Sequence, residues 1–250
     1  MSKLYFNYGT VASSKTLNLL AVYKNYELQG RNAILIRPQM DTRSDKVESR
    51  AGLSAEPDIT LGSKDDILLK IKDYMITKIY NDHNKLEVKS LEELQKEFNK
   101  VAEAVIVDES QFLSVEQIKD LRSLSATGIF IQFPIDNAHL PKDSALINKE
   151  NPINFVILHL CLPVMCYGLR TNSDGVLWDA ASILMAQADE INEIKTICSY
   201  CNHRAVFSAI NPERSCNNSE GIVNPSWGLY IPVCPKHFAE IQAKQIKKQH

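Results

Sequence analysis

Apolar and polar positions along this chain fall into short runs joined by helical periods. Leu4-Tyr-Phe-Asn-Tyr8 alternates and predicts a strand over 3–8, and Leu17, Leu19, Leu20 and Tyr23 recur at helical spacing and predict a helix over 15–28 that Gly30 ends. Asn32-Ala-Ile-Leu-Ile-Arg37, closed by Pro38, reads as a second, buried strand. Residues 40–63 are polar and punctuated by Gly52, Pro57 and Gly62, which predicts a loop. Two helical blocks follow, near 65–80 and 90–102, divided at Asp82-His-Asn84. Ala104-Val-Ile-Val107 has no polar face, as a central parallel strand requires. A helix is expected over 114–126, with Ser114 as its N-cap and Glu116 and Gln117 in its first turn. Ile129–Phe133 is a further strand, and 134–153, with three prolines and little periodicity, an excursion. Val164-Met-Cys-Tyr167 predicts another strand and 177–188 another helix. Strands alternating with helices imply a parallel α/β sheet flanked by helices. After about residue 195, cysteines, prolines, asparagines and short apolar runs take over, which divides the chain into a larger unit, 1–195, and a smaller one, 196–250.

Composition narrows the partners. A net charge of −2 over 250 residues sets up no bulk field to recruit nucleic acid or an anionic membrane. The short basic tail from Lys244 to Lys248 reads as a solvated helix end. The longest apolar stretch, Phe155 to Cys166, is interrupted by His159 and Pro163 and is too short to span a bilayer. With no apolar leader at the N-terminus, a cytoplasmic protein is expected. Its six cysteines then point to thiols or a metal site rather than a disulfide framework.

Three constellations carry chemistry. Gly9-Thr-Val-Ala-Ser13-Ser14-Lys15-Thr16 sits between a strand and a helix, the layout of a phosphate-binding loop. There, backbone N–H groups and the helix N-terminus hold phosphate, Lys15 reaches its outer oxygens and Thr16 reaches magnesium. Ser14 occupies the position at which the pattern has glycine. The second constellation is Asp108-Glu109, at the end of an apolar strand. Two carboxylates there belong at the carboxyl edge of the sheet, one for magnesium and one for base work. The third is Cys198-x-x-Cys201 with Cys234-x-x-His237, two ligand pairs that match a structural Cys₃His zinc site. Cys216 is a rival ligand without a partner at pair spacing, and Cys161 and Cys166 are expected to be buried thiols.

Taken together, these motifs resemble the zinc-bearing thymidine kinases of bacteria and the animal cytosol. The resemblance rests on the phosphate loop, Pro38-x-x-Asp41-Thr-Arg43, Asp108-Glu109-Ser-Gln111-Phe112-Leu113, Pro163-Val-Met-Cys-Tyr-Gly168-Leu-Arg-Thr171, Lys195-Thr-Ile-Cys198 and Tyr230-Ile-Pro-Val-Cys234-Pro-Lys-His237. It implies a P-loop (RecA-like) sheet with a small zinc domain carrying a lasso loop. It also implies transfer of the ATP γ-phosphate to the 5′-hydroxyl of thymidine or a related pyrimidine deoxynucleoside. By the same resemblance Glu109 is the general base, Lys15 stabilises the transferring phosphoryl group, and Asp108 and Thr16 hold Mg²⁺. Gly9, Ser13, Ser14 and Arg43 lie around the phosphates. Asp41, Gln111, Phe112, Trp178 and Tyr230 serve the nucleoside, and the assembly is a homotetramer or dimer.

The chain departs from the family pattern at several ligand positions. Ser14 replaces glycine, and Asn172 and Ser173 replace an aspartate and a phenylalanine. Ile222-Val-Asn-Pro225 stands in a lasso that usually holds a glycine pair, and Ile210 stands where the family has arginine, with Arg214 the nearest. Residues 64–103 are longer than the family's usual helix there, and 134–155 read as an insertion. These departures support a second reading, a catalytically impaired homologue that binds nucleotide or a protein partner.

Overall fold

The computed structural model describes residues 2–41, 45–82, 88–151, 153–214 and 228–249. In chain order the elements are β1 (Leu4–Tyr8), α1 (Lys15–Leu28), β2 (Ala33–Pro38), β3 (Val47–Glu48), β4 (Ser54–Ala55), β5 (Ile59–Leu61), α2 (Ile67–Asp82), α3 (Leu91–Val101), β6 (Ala104–Val107), α4 (Val115–Ala126), β7 (Ile129–Asp136), β8 (Ile153–Leu160), β9 (Val164–Gly168), α5 (Asp179–Gln187), β10 (Glu190–Glu193), β11 (Phe207–Ile210), β12 (Tyr230–Val233) and α6 (Pro235–Gln249).

Six strands form one sheet in the order β10-β1-β9-β6-β2-β5, and every pairing in it is parallel. The parallel sheet explains the burial. β2 and β6 are buried along their whole length because helices cover both faces. Successive side chains alternate between two cores. Ile34, Ile36, Val105 and Val107 join the larger one, built with α2 to α5, while Leu35, Ala104 and Ile106 meet Leu19 and Leu20 of α1 on the other face. Ser114 caps α4 as expected, accepting from the Gln117 N–H, while the Gln117 side chain accepts from the Ser114 N–H.

The structure corrects the expected elements in three places. The stretch expected to be loop, 40–63, contributes edge strand β5, paired with β2, and the small antiparallel pair β3–β4. β10, which the sequence reading did not anticipate, closes the other edge against β1. The Ile129–Phe133 strand is longer than expected and does not enter the main sheet. β9 already has β1 and β6 as neighbours, so β7 pairs instead with β8 in an antiparallel hairpin, from Ile129↔Leu160 to Asp136↔Ile153. The inward face of the hairpin, Ile131, Phe133, Ile135, Leu158 and Leu160, joins the large core. There Phe133 stacks on Tyr80 at 5.6 Å and meets Phe98 edge-on at 6.0 Å. The Gln95 amide covers the outer edge of β8, donating to the His159 carbonyl and accepting from the His159 N–H, both at 2.9 Å.

β11, β12 and α6 form a separate small cluster around Ala209, Val233 and Ile241, adjoining Cys198 and Cys234. Among the described residues, no helix is long and apolar enough to cross a membrane.

Candidate active site and metal centre

Because the six strands run parallel, their carboxyl ends share one edge, where ligands of open α/β sheets bind. β1 delivers the loop Gly9–Ser14, β6 delivers Asp108 and Glu109, β9 delivers Gly168 to Thr171, and β2 delivers Asp41. One strand, β9, separates the loop strand from the carboxylate strand. That spacing brings Thr16 Oγ1 to 3.3 and 3.4 Å from the two carboxylate oxygens of Asp108.

The phosphate loop is built under conformational tension. Ala12 and Ser14 have φ of 58° and 63°, in the left-handed region, and Glu109 has φ 45°. These three are the non-glycine residues with positive φ among those described, and all sit at the candidate site. At Ser14 the left-handed turn is what places Lys15 at the first position of α1. Lys15 is buried, and its Nζ donates to the Thr10 carbonyl at 2.8 Å. Gly9 is required by space: a Cβ there would lie 2.3 Å from Ser13 Oγ and 2.6 Å from the Ile194 carbonyl. Ser13 Oγ is buried without a hydrogen-bond partner. An orphaned hydroxyl in a loop of backbone donors at a helix N-terminus fits an anion.

Glu109 is held through Gln111. Gln111 Nε2 donates to its Oε2 at 2.6 Å, and Gln111 Oε1 in turn accepts from the Leu169 N–H at 2.9 Å. Glu109, Gln111 and Asp108 are all buried. Gly168 makes room for this arrangement, since a Cβ there would lie 2.6 Å from Ser110 Oγ and 2.8 Å from Gln111 Oε1. Beneath Asp108 the phenol of Tyr167 is pushed up to about 12, by burial first and then by the Asp108 charge. Phe112 and Trp178 meet edge to face at 5.7 Å beside this network. Trp178 Nε1 and Ser110 Oγ are both buried without a partner, polar atoms suited to a polar, ring-bearing ligand.

The structure thus gathers Gly9, Ser13, Ser14, Lys15, Thr16, Asp108, Glu109, Gln111, Phe112 and Trp178 along one edge. Asp41 is buried against Arg37 of β2, with Arg37 Nε 3.6 Å from Asp41 Oδ2 and Arg37 Nη2 donating to the Asp41 carbonyl, so it anchors its own loop. Arg43, expected near the phosphates, lies outside the described residues, as do Cys216, Ile222 and Pro225. Tyr230 heads β12, half-buried; burial and then the Asp174 charge push its phenol up. Asn172 is neutral where the family has aspartate: its Oδ1 accepts from the N–H groups of Asp174 and Val176, both at 3.0 Å, as a carboxylate would.

Sequence reasoning did not single out Arg170 and Ser208. The Arg170 guanidinium lies over the Tyr8 ring at 5.6 Å and donates to the Val206 carbonyl, while Ser208 Oγ accepts from the Val11 N–H at 3.0 Å. Both tie the phosphate-loop edge to β11 and the residues before it, across a long sequence separation that no local motif reports. A cavity of about 510 Å³ lies elsewhere. Ala102 and Leu162 on its wall precede β6 and β9, so it opens at the amino edge, opposite the carboxylates.

In the small unit the ligand atoms of Cys198, Cys201, Cys234 and His237 all lie within 4.8 Å of one another. Cys201 Sγ to Cys234 Sγ is 3.8 Å, and the three sulfurs stand 3.3, 3.6 and 3.3 Å from His237 Nδ1. A tetrahedron with ordinary zinc–sulfur and zinc–nitrogen bonds has edges of about 3.8 and 3.6 Å. The donor set and its spacing therefore fit zinc. Burial pushes the Cys198 thiol up, but N–H groups of Tyr200 and Cys234 and the His237 ring outweigh it and bring the group down to about 6, toward the thiolate that a metal needs.

The family model described as thymidine kinase matches residues 2–79 and 156–238, well over half of the chain. The chain belongs to the thymidine kinase family. It is similar to the thymidine kinase of Francisella tularensis subsp. tularensis, 28% identical over 249 residues that cover 96% of this chain and 98% of that one. It is also similar to the thymidine kinase of Streptococcus pyogenes serotype M1, 30% identical over 242 residues that cover 95% and 97%. The thymidine kinase match leaves out 80–155, a segment that holds Asp108 and Glu109 as well as β7, so the carboxylate arrangement stands on the geometry above.

Proposed function

We infer that this protein is a thymidine kinase that transfers the γ-phosphoryl group of ATP to the 5′-hydroxyl of thymidine. The observation that carries the reading is the junction at the sheet edge, where Thr16 of the loop meets Asp108 while Gln111 clamps Glu109 next door. Family membership and two relatives named as thymidine kinases support the substrate.

In this reading the loop N–H groups from Gly9 to Thr16 hold the ATP phosphates, and Lys15 leaves the Thr10 carbonyl to neutralise charge on the γ-phosphoryl. Thr16 and Asp108 would hold a magnesium ion, which when bound supplies charge neutralisation on the phosphate oxygens. Phe112 and Trp178 enclose the nucleoside and exclude water. Glu109 accepts the 5′-hydroxyl proton as the hydroxyl oxygen bonds to phosphorus and the bond to the ADP oxygen breaks. Asp41 and Tyr230 belong to the nucleoside side and Arg43 to the phosphate side. The four ligands of the small unit hold structural zinc, the units divide near residue 195, and the protein works in the cytoplasm as a homo-oligomer. The second reading, a homologue without turnover, is not favoured.

Incubated with ATP, magnesium and thymidine, the protein is expected to form thymidine monophosphate. Glu109→Gln should lower kcat by about 10²- to 10⁴-fold with the circular dichroism unchanged. Absence of turnover with every deoxynucleoside offered would overturn the reading.

A further inference from the structure

One face of the β7–β8 hairpin seals the large core, and the other carries a continuous apolar stripe. Phe130, Gln132, Pro134 and Asp136 point outward from β7, and Ile153, Phe155, Ile157 and His159 from β8, in directly opposed pairs. Phe130 is 77% exposed, Ile157 67%, Phe155 60% and Ile153 55%. With each such side chain offering on the order of 150–200 Å², about 500 Å² of apolar surface lies in one patch. That is near the upper limit of what a monomer leaves in water. Most of the segment that builds it, up to residue 155, falls outside the thymidine kinase match.

We propose that this face is where two copies of the chain pair. The occupant is a second hairpin because the face is complementary to itself. A two-fold axis lying between the two faces, perpendicular to the strands, sets Ile157 against the partner's Phe155 at the centre. The same axis lays the end bearing the Asp136 carboxylate over the end bearing the partner's His159 imidazole. The other two-fold, parallel to the strands, brings both Asp136 carboxylates to the same end and is disfavoured. Two facing hairpins at the usual sheet spacing of about 10 Å form a four-stranded sandwich. Two apolar patches and the polar positions around them bury about 1,200 Å², at the lower bound of a stable interface. The inner face is fixed by Phe133 between Tyr80 and Phe98, so the outer face is presented without an ordering cost.

Sedimentation equilibrium of the full chain, compared with the double variant Phe155→Lys, Ile157→Lys, tests this. The mass of the variant is expected to fall by half at micromolar concentration, with a dissociation constant raised at least 100-fold. Thymidine phosphorylation and the thermal transition serve as folding controls, since both residues lie outside the site. Should the double variant fail these controls, the single variant Phe130→Ser, at the end of the stripe, is expected to weaken pairing about tenfold. Equal masses for wild type and folded variants would overturn the proposal. So would a wild-type chain that stays monomeric throughout, which would assign the stripe to a different partner.

Discussion

At the scale of single residues, the site is held together by positions whose local chemistry looks unfavourable. Ser14 adopts a left-handed conformation that costs a residue with a Cβ roughly 1–2 kcal/mol relative to glycine. Ser14→Gly is therefore expected to stabilise the protein by about 0.5–1 kcal/mol, after the extra chain entropy of glycine is set against the relief. The melting temperature should rise by about 1–4 °C, and a decrease would show that the serine side chain makes a stabilising contact. The role of Gln111 shows what a motif conceals. Its place in Asp108-Glu109-Ser-Gln111 suggested a nucleoside ligand. Its amide bridges Glu109 to the Leu169 N–H, which is 58 residues away in sequence, an arrangement that suits a positioning residue. Gln111→Ala should lower kcat about 10- to 100-fold, the worth of a hydrogen bond to a charged group, while leaving KM for thymidine nearly unchanged. A raised KM with unchanged kcat would return Gln111 to the substrate side.

At the scale of elements, legibility followed length and locality. β1, α1, β2, β6, α4 and β9 were readable because each carries its own periodicity or cap, as the Ser114–Gln117 box does. β5 has only three residues, and β10, Glu190-Ile-Asn-Glu193, has a single apolar side chain, so neither shows a pattern and pairing with β2 and β1 alone makes them strands. The excursion expected after Phe133 begins only after Asp136, because the hairpin partner β8 extends β7 past Pro134. Cys198, Cys201, Cys234 and His237 were legible as two pairs, but their convergence depends on β11–β12 pairing and on α6 placing His237 over Cys234. One zinc per chain is expected by elemental analysis. Removal by a chelator should melt this unit, since a structural zinc contributes on the order of 10 kcal/mol. Through the bond between Val11 and Ser208 the loss should reach the phosphate loop. Bound ATP should accordingly slow chelation, since coupling between two sites is reciprocal. Chelation at equal rates with and without ATP would disconnect the two sites.

At the scale of the whole molecule, the sheet order decides which residues meet. The alternation of strands and helices predicted an α/β chain, and the change in residue usage after about 195 a small appended unit. No local pattern, however, revealed that β9, made late, would sit between the strand of the loop and the strand of the carboxylates. The placement of β1 also has a consequence for how the protein is made. β1 is flanked by β9 and β10, both made far later than itself, and the Leu4 N–H donates to the Asp189 carboxylate, 185 residues downstream. At ordinary synthesis rates Leu4 and Phe6 wait about 10–40 s for the neighbours that bury them. During that interval the nascent chain holds the apolar face of β1 uncovered, and a ribosome stalled before residue 164 leaves a product in which β1 has neither of its sheet neighbours.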